Sequence, residues 1–256
     1  MRALIAIPVY NEEKYVPRVL AHVLEYADDV IVIDDGSTDR TPTLLARHPV
    51  DVIRHGTNRG YGRSMRDAFA IASCRGYDWL VTMDCDEQHE PAEIPNFLAA
   101  AAEDGYDVIS GSRYLDLAAL RGDADSPPPD RRKINEVITE EINQRLSERL
   151  GVHLTDSFCG FKAYRTSAVR RLSLSEDGYA FPMQFWVQAA AQNLRIRELP
   201  VRLIYNDPTR TFGGPLNDAD VRLAHYRQVL HCELERCAPR LPEDALQGVH
   251  AGCGES

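Results

Sequence analysis

The sequence predicts an α/β fold, a mostly parallel sheet with helices on both faces, on three observations. Short apolar runs rich in Val, Ile and Leu recur along the chain, each closed by turn-forming residues. Amphipathic stretches of about ten residues separate them, which is the spacing of strand-helix-strand units. The polar clusters Asn11-Glu12, Asp34-Asp35 and Asp84-Asp86 each follow an apolar run. Open α/β sheets bind their ligands at that end of the strands.

Leu4 to Val9, closed by Pro8 and Asn11, reads as a buried parallel strand. Tyr15 to Tyr26 carries Val16, Val19, Leu20, Val23 and Leu24 on one helical stripe, with Pro17 tolerated in the first turn. Val30 to Ile33 is a second strand, and Ser37 or Thr38 is placed to cap a helix running to about Arg47. Strands from Val50 to Ile53, Trp79 to Met83 and Val108 to Ser110 alternate with helices from Tyr61 to Ser73 and Glu93 to Glu103. The rhythm stops at Leu115 to Asp130, where Gly122 to Pro129 excludes a regular element and predicts an exposed, mobile loop. Beyond it Ile134, Val137, Ile138, Ile142, Leu146 and Leu150 mark one face of a long helix. A helix from Pro182 to Gln192, a strand from Ile196 to Tyr205 and a helix from Asp218 to Cys237 follow. Residues 1–238 are expected to form one domain, with halves 1–114 and 115–238 and a loosely held tail, 239–256.

With 39 acidic and 29 basic residues, the chain carries a formal charge of −10. That argues against a nucleic-acid partner, which wants a basic face, but leaves room for a phosphorylated ligand in a locally basic cleft. No apolar run is long enough to span a membrane, and no secretory signal pattern precedes the first strand. Cys74, Cys85, Cys159, Cys232, Cys237 and Cys253 form no Cys-x-x-Cys pair, so reduced thiols and a cytoplasmic location are expected.

Asp84-Cys85-Asp86-Glu87-Gln88 carries the strongest chemical signal. If the segment stays extended, Asp84, Asp86 and Gln88 point to one side and present oxygens to Mg²⁺ or Mn²⁺, ions that prefer carboxylates plus substrate phosphates. Asp34-Asp35 could accept hydrogen bonds from a base or ribose. No Gly-x-Gly-x-x-Gly follows the first strand and no P-loop is present, which disfavours a dinucleotide oxidoreductase and a P-loop kinase. Gly56 to Arg63 is either a tight loop near phosphates or a flexible turn between strand and helix. Arg113, Arg131 and Arg132 flank the proline-rich loop, and paired arginines recognise phosphate bidentately.

These residues resemble the family 2 glycosyltransferases with the GT-A fold, and within them the dolichyl- or polyprenyl-phosphate mannosyl- and glucosyltransferases. Ile7-Pro8-Val9-Tyr10-Asn11-Glu12-Glu13 is similar to the family's nucleotide-binding start, which makes Pro8, Tyr10, Asn11 and Glu12 donor-binding candidates. In the block Val32 to Asp39, the resemblance places Asp35 against the base. In Met83 to His89 it directs Asp84 to ribose and metal, with Asp86 and Gln88 on the metal. In Gly111-Ser112-Arg113-Tyr114 it gives Arg113 to the acceptor phosphate, with Arg131 or Arg132 as a second basic position. Asp156 to Lys162 resembles the block that closes the donor pocket from the acceptor side. The chain departs from the family at Gln184, where glutamate is common. It departs again after Tyr205, where Arg210 alone is left for the pyrophosphate role.

The resemblance implies an inverting transfer of mannose or glucose from a GDP- or UDP-hexose to a polyprenyl phosphate at a membrane surface, aided by Mg²⁺ or Mn²⁺. The alternative acceptor is a hydroxyl of a soluble sugar or small molecule, with Asp156 as candidate base. A nucleotidyltransferase is disfavoured because Pro8 to Glu13 stands where its glycine-rich loop would be. A non-catalytic protein is disfavoured because Asp84, Asp86 and Gln88 are all present.

Overall fold

A computed structural model describes residues 1–115, 127–202, 204–205 and 211–249. Seven strands form one sheet among them: β1 (Ala3–Val9), β2 (Val30–Asp34), β3 (Asp51–Arg54), β4 (Trp79–Thr82), β5 (Val108–Ser112), β6 (Lys162–Arg165) and β7 (Ile196–Pro200). Their order is β3-β2-β1-β4-β6-β5-β7. All neighbours run parallel except β6, which is antiparallel to both β4 and β5. The helices are α1 (Val16–Val23), α2 (Thr41–Leu45), α3 (Tyr61–Cys74), α4 (Ile94–Ala102), α5 (Pro129–Leu150), α6 (Thr166–Val169), α7 (Phe181–Ala191) and α8 (Ala219–Cys237).

Side-chain alternation divides the central strands between two cores. Leu4, Ala6, Ile31, Ile33, Leu80 and Val108 face one layer, which also holds buried residues of α3, α5, α7 and α8. Ile5, Ile7, Val32, Val81, Ile109 and Ala163 face the other, which α1 and α4 cover. Burial on both faces explains why β1, β2, β4 and most of β5 read as apolar runs.

The apolar face expected after residue 130 belongs to α5, where Ile134, Ile138, Ile142, Leu146 and Leu150 recur every fourth residue. All five are buried in the first core, against α7 and α8. Each contributes about 2 kcal/mol by removing its side chain from water. The expected start of α8 is confirmed by its cap: Asp218 Oδ1 accepts the N–H groups of Asp220 (2.9 Å) and Val221 (3.0 Å).

Several expectations need correction. The sheet is mostly parallel, as expected, but the antiparallel β6 was not read as a strand: with four residues bounded by Lys162 and Arg165, it lacks a visible apolar period. β5 pairs with β6 and β7, so strands from both expected halves, 1–114 and 115–238, share one sheet. The helix expected from Ser37 or Thr38 begins only at Thr41, because Ser37 Oγ accepts the Asn11 N–H (2.9 Å) instead of capping it. β7 ends at Pro200, short of Tyr205. The tail is docked as far as it is described: Leu241 and Ala245 are buried, and Arg145 donates to the carbonyls of Ala245 (2.9 Å) and Gln247 (2.8 Å). Cys74, Cys85, Cys159 and Cys237 are free, whereas Cys232 is disulfide-bonded. Most of the proline-rich loop, residues 116–126, lies outside the described residues.

Candidate active site

The parallel strands β1, β2 and β4 end side by side, and their following loops form one wall of a cleft of about 700 Å³. From β1 come Pro8, Tyr10 and Glu12. Asn11 does not line the cleft; it takes a left-handed conformation (φ 56°), and its Oδ1 accepts the Thr38 N–H at 2.8 Å. Together with the Glu12 N–H bond to Thr41 Oγ1 (2.8 Å), this ties the β1 loop to the β2 loop. Asn11 is thus a brace between two loops of the cleft wall.

The neighbouring aspartates Asp34 and Asp35 have different tasks. Asp34 is fully buried, accepts the Ser37 N–H (2.9 Å) and faces Arg54 Nε at 3.1 Å. Asp35 lines the cleft and accepts from the backbone N–H groups of Arg59 and Gly60, both at 2.8 Å.

After β4 the chain turns instead of staying extended. Glu87 is left-handed (φ 59°) and Asp86 Oδ1 accepts the Gln88 N–H at 3.0 Å. The turn still sets Asp84, Asp86 and Gln88 on the cleft wall. Behind it lies a residue to which the sequence assigned no role: buried His89, whose Nδ1 accepts the Asp84 N–H at 2.9 Å. Burial opposes a charge on this ring, but the Asp84 carboxylate, Cys159 and Asp86 lift its pKa to about 9. The bond from Asp84 uses the lone pair of Nδ1 and fixes the ring behind the acidic turn.

Among the described residues no three His, Cys, Asp or Glu side chains converge as a metal cage. Two carboxylates and an amide oxygen on one cleft wall are nevertheless a donor set that Mg²⁺ accepts. The residues present fit such an ion. Gly160 belongs to the same arrangement, since a Cβ there would stand 2.6 Å from Asp84 Oδ2 and 2.9 Å from Oδ1.

The opposite wall is built from the end of β5 and from α5. Arg113 meets Asp156 bidentately, Nε to Oδ2 at 2.6 Å and Nη2 to Oδ1 at 2.9 Å. Asp156 is wholly buried and also accepts from Asn135 Nδ2 (2.8 Å) and from the N–H groups of Phe158 and Cys159 (3.1 Å each). Although burial opposes ionisation, Arg113 and these donors hold the Asp156 carboxyl at about 2. This arrangement counts against Asp156 as the base. A saturated carboxylate of that acidity is a poor proton acceptor at neutral pH, and it serves as the anchor of Arg113.

Arg131 lines the cleft, its guanidinium 5.4 Å from the Tyr205 ring centre and 4.8 Å from that of Phe212. Arg132 does not line it, being exposed and paired with Glu136 at 2.8 Å. Arg222, which no motif announced, lies 4.4 Å from Phe212 and is anchored by Asp130 at 2.6 Å. Tyr61 and Tyr179 stack at 6.3 Å across the same cleft. Arg210 lies outside the described residues.

Gln184 is not on the cleft wall but beneath it. Its Oε1 accepts the N–H groups of Ser175 (2.6 Å) and Glu176 (2.9 Å), while Nε2 donates to Glu233 Oε2 at 2.9 Å. The glutamate common at this position would place a second carboxylate against Glu233, itself buried. Gln184→Glu is expected to cost about 2 kcal/mol of stability. Adding Glu233→Gln should restore most of it, as read by urea denaturation of both variants; equal stability of Gln184→Glu and the parent would refute this.

A nucleotide-sized cleft at the carboxyl ends of parallel strands, with an acidic pair on its rim, defines a GT-A nucleotide-diphosphosugar transferase. The chain belongs to glycosyl transferase family 2, whose profile matches residues 4–173, and it is a glycosyltransferase. It is 31% identical over 238 residues to the undecaprenyl-phosphate mannosyltransferase of Micrococcus luteus, covering 88% of this chain and 94% of that protein. It is 30% identical over 238 residues to the polyprenol monophosphomannose synthase of Mycolicibacterium smegmatis, covering 88% and 86%. Its fold is similar to that of the glucosyl-3-phosphoglycerate synthase of Mycobacterium tuberculosis, solved with Mn²⁺, uridine-diphosphate-glucose and phosphoglyceric acid. The TM-score is 0.66 at 20% identity, covering 94% of this chain and 81% of that one.

Proposed function

We propose that the protein moves a hexose from a nucleoside diphosphate-sugar to a hydroxyl of a small-molecule acceptor, by a single displacement that inverts the anomeric carbon. The observation that carries the choice of acceptor is the burial of the α5 apolar face. A lipid chain whose phosphate sat among Arg113 and Arg131 would need apolar surface to run along, and Ile134 to Leu150 give theirs to the core. Arg113 is moreover already neutralised by Asp156. What remains on the acceptor side is a wall of Tyr179, Tyr205, Phe212 and Tyr226 with Arg131 and Arg222, suited to a compact polar ring that stacks and hydrogen-bonds.

Pro8, Tyr10, Glu12 and Asp35 bind the nucleoside. Asp84, Asp86 and Gln88 would hold a Mg²⁺ or Mn²⁺ ion, which when bound neutralises the departing diphosphate. Arg131 adds positive charge to the same cleft. The identities to lipid-phosphate mannosyltransferases favour a second reading, a polyprenyl phosphate acceptor. No helix among the described residues is long and apolar enough to cross a membrane.

The test is transfer from UDP- and GDP-hexoses, with Mn²⁺, to soluble hydroxyl acceptors and to a short-chain polyprenyl phosphate. Transfer to a soluble acceptor is expected, with loss of donor binding in EDTA. Asp86→Ala should weaken donor binding about a hundredfold and Gln88→Ala about tenfold, because a carboxylate neutralises charge and an amide only lends a lone pair. Glycosylation of the polyprenyl phosphate alone would replace the main reading with the second, and donor binding indifferent to EDTA would remove the metal.

A further inference from the structure

Asp35 is held by an arrangement that the chemistry above does not use. His55 follows β3 directly, its N–H donates to the Asp34 carbonyl at 2.8 Å, and only 7% of its surface is exposed. Its Nδ1 lies 2.6 Å from Asp35 Oδ1, and its Nε2 lies 2.9 Å from Asp67 Oδ2 on α3. Each ring nitrogen therefore faces a carboxylate oxygen, where a donor is required on both sides. Arg63 Nε holds the far carboxylate, again at Asp67 Oδ2, 2.9 Å away. A chain Asp35–His55–Asp67–Arg63 thus runs from the cleft wall into α3.

The count of lone pairs on Asp35 then matters. A carboxylate offers about four acceptor positions, two on each oxygen. Oδ1 takes His55 Nδ1 and the Arg59 N–H, one donor for each of its lone pairs. Oδ2 takes the Gly60 N–H at 2.8 Å, which leaves one position. The backbone donors cannot drift: Gly60 has φ 98°, and a Cβ there would stand 2.2 Å from the Asp177 carbonyl oxygen. The turn is clamped against the loop that carries Tyr179.

We propose that His55 is a positioning residue that saturates Asp35 Oδ1, so that the donor site selects a base with a single imide N–H, the uracil class. Guanine presents two adjacent N–H donors, which a carboxylate captures with both oxygens, and at Oδ1 the second would compete with His55 and the Arg59 N–H. Cytosine offers a ring acceptor in place of the imide and would face Oδ2 with a lone pair. Adenine offers an amino group beside a ring acceptor and meets the same repulsion. The inference rests on the donor reading given above, in which the nucleoside lies against Asp35.

Calorimetry with Mn²⁺ tests it, using UDP, GDP, CDP, ADP and inorganic pyrophosphate. The wild type should bind UDP at least about tenfold tighter than the other nucleotides, the effect of one hydrogen bond to a charged group. In His55→Ala, UDP affinity should fall about tenfold and the UDP-to-GDP ratio should shrink towards one, while pyrophosphate binding stays unchanged. A merely structural histidine would move nucleotide and pyrophosphate together, or neither. Asp67→Asn, away from the cleft, should lower the ratio in the same direction and serves if His55→Ala does not fold. GDP binding as tight as UDP in the wild type, or an undiminished ratio in the folded variant, would overturn the proposal. Pyrophosphate binding without binding of any nucleotide would overturn the donor reading and this inference together.

Discussion

Gly160→Ala is expected to lower turnover about a hundredfold while the protein stays folded, the cost of misplacing a reacting group by about an ångström. The Gly160 carbonyl is fixed by Thr82 Oγ1 at 2.8 Å, so the backbone cannot retreat from an added methyl. The methyl would contact Asp84 Oδ2, Oδ1 and Cγ at 2.6, 2.9 and 3.1 Å, and the carboxylate has to move. Since Asp84 is proposed to orient ribose and metal, its displacement should weaken Mn²⁺-dependent donor binding as well as turnover. Steady-state kinetics and a thermal melt of the same preparation would check this. Unimpaired kcat in a folded Gly160→Ala protein would show that the Asp84 position is not critical.

The second large effect concerns stability. Arg113→Ala should destabilise the protein by about 3–5 kcal/mol, because it leaves the buried Asp156 carboxylate without its cation. Asp156→Asn should cost less, since the amide keeps an oxygen for the Asn135 and backbone donors. The pH dependence has a definite sign. Asp156 is held at about 2 in the folded chain, below its ordinary value, so it adds stability at pH values above the unfolded pKa. That contribution, about 2 kcal/mol, is lost as the pH falls from about 4 through about 2. Urea melts over this range should show the loss in the wild type and a shallower one in Asp156→Asn. Parallel curves would mean that Asp156 is not the group responsible.

The central parallel strands were legible because β1, β2, β4 and β5 are buried on both faces and announce themselves as apolar runs. β6 was not, since Lys162 and Arg165 are drawn into partnerships with Cys159 and with Asp104 and Asp107 that only the folded chain assembles. Ligand candidates near the strand ends were found because proximity along the chain and in space coincide there: Pro8, Tyr10, Glu12, Asp35, Asp84 and Asp86 all line the cleft. Residues that act by bracing others were misread or missed. Asn11 and Asp156 look like ligand groups in sequence but spend their hydrogen bonds inside the protein. His55 and Arg222 come from segments without an assigned motif, and His89 closes a block that gave it no role; only their partners reveal what they do. Arg132 shows the converse, since a helical step of one residue turns it away from the cleft that Arg131 enters.

The insertion of β6 between β4 and β5 also sets an order of assembly during synthesis. As the chain emerges, β1 to β4 have parallel partners among themselves, but β4 keeps an open edge until Lys162–Arg165 arrives. β5 has no partner at all until then. Roughly eighty residues therefore leave the ribosome between β4 and the strand that covers it, about four to sixteen seconds at ordinary elongation rates. Through that interval the edge that carries the acidic turn is a bare template for strand pairing with another chain. A protein truncated between Ser112 and Lys162 would keep that edge exposed permanently, so nascent chains of this length are where chaperone binding should concentrate.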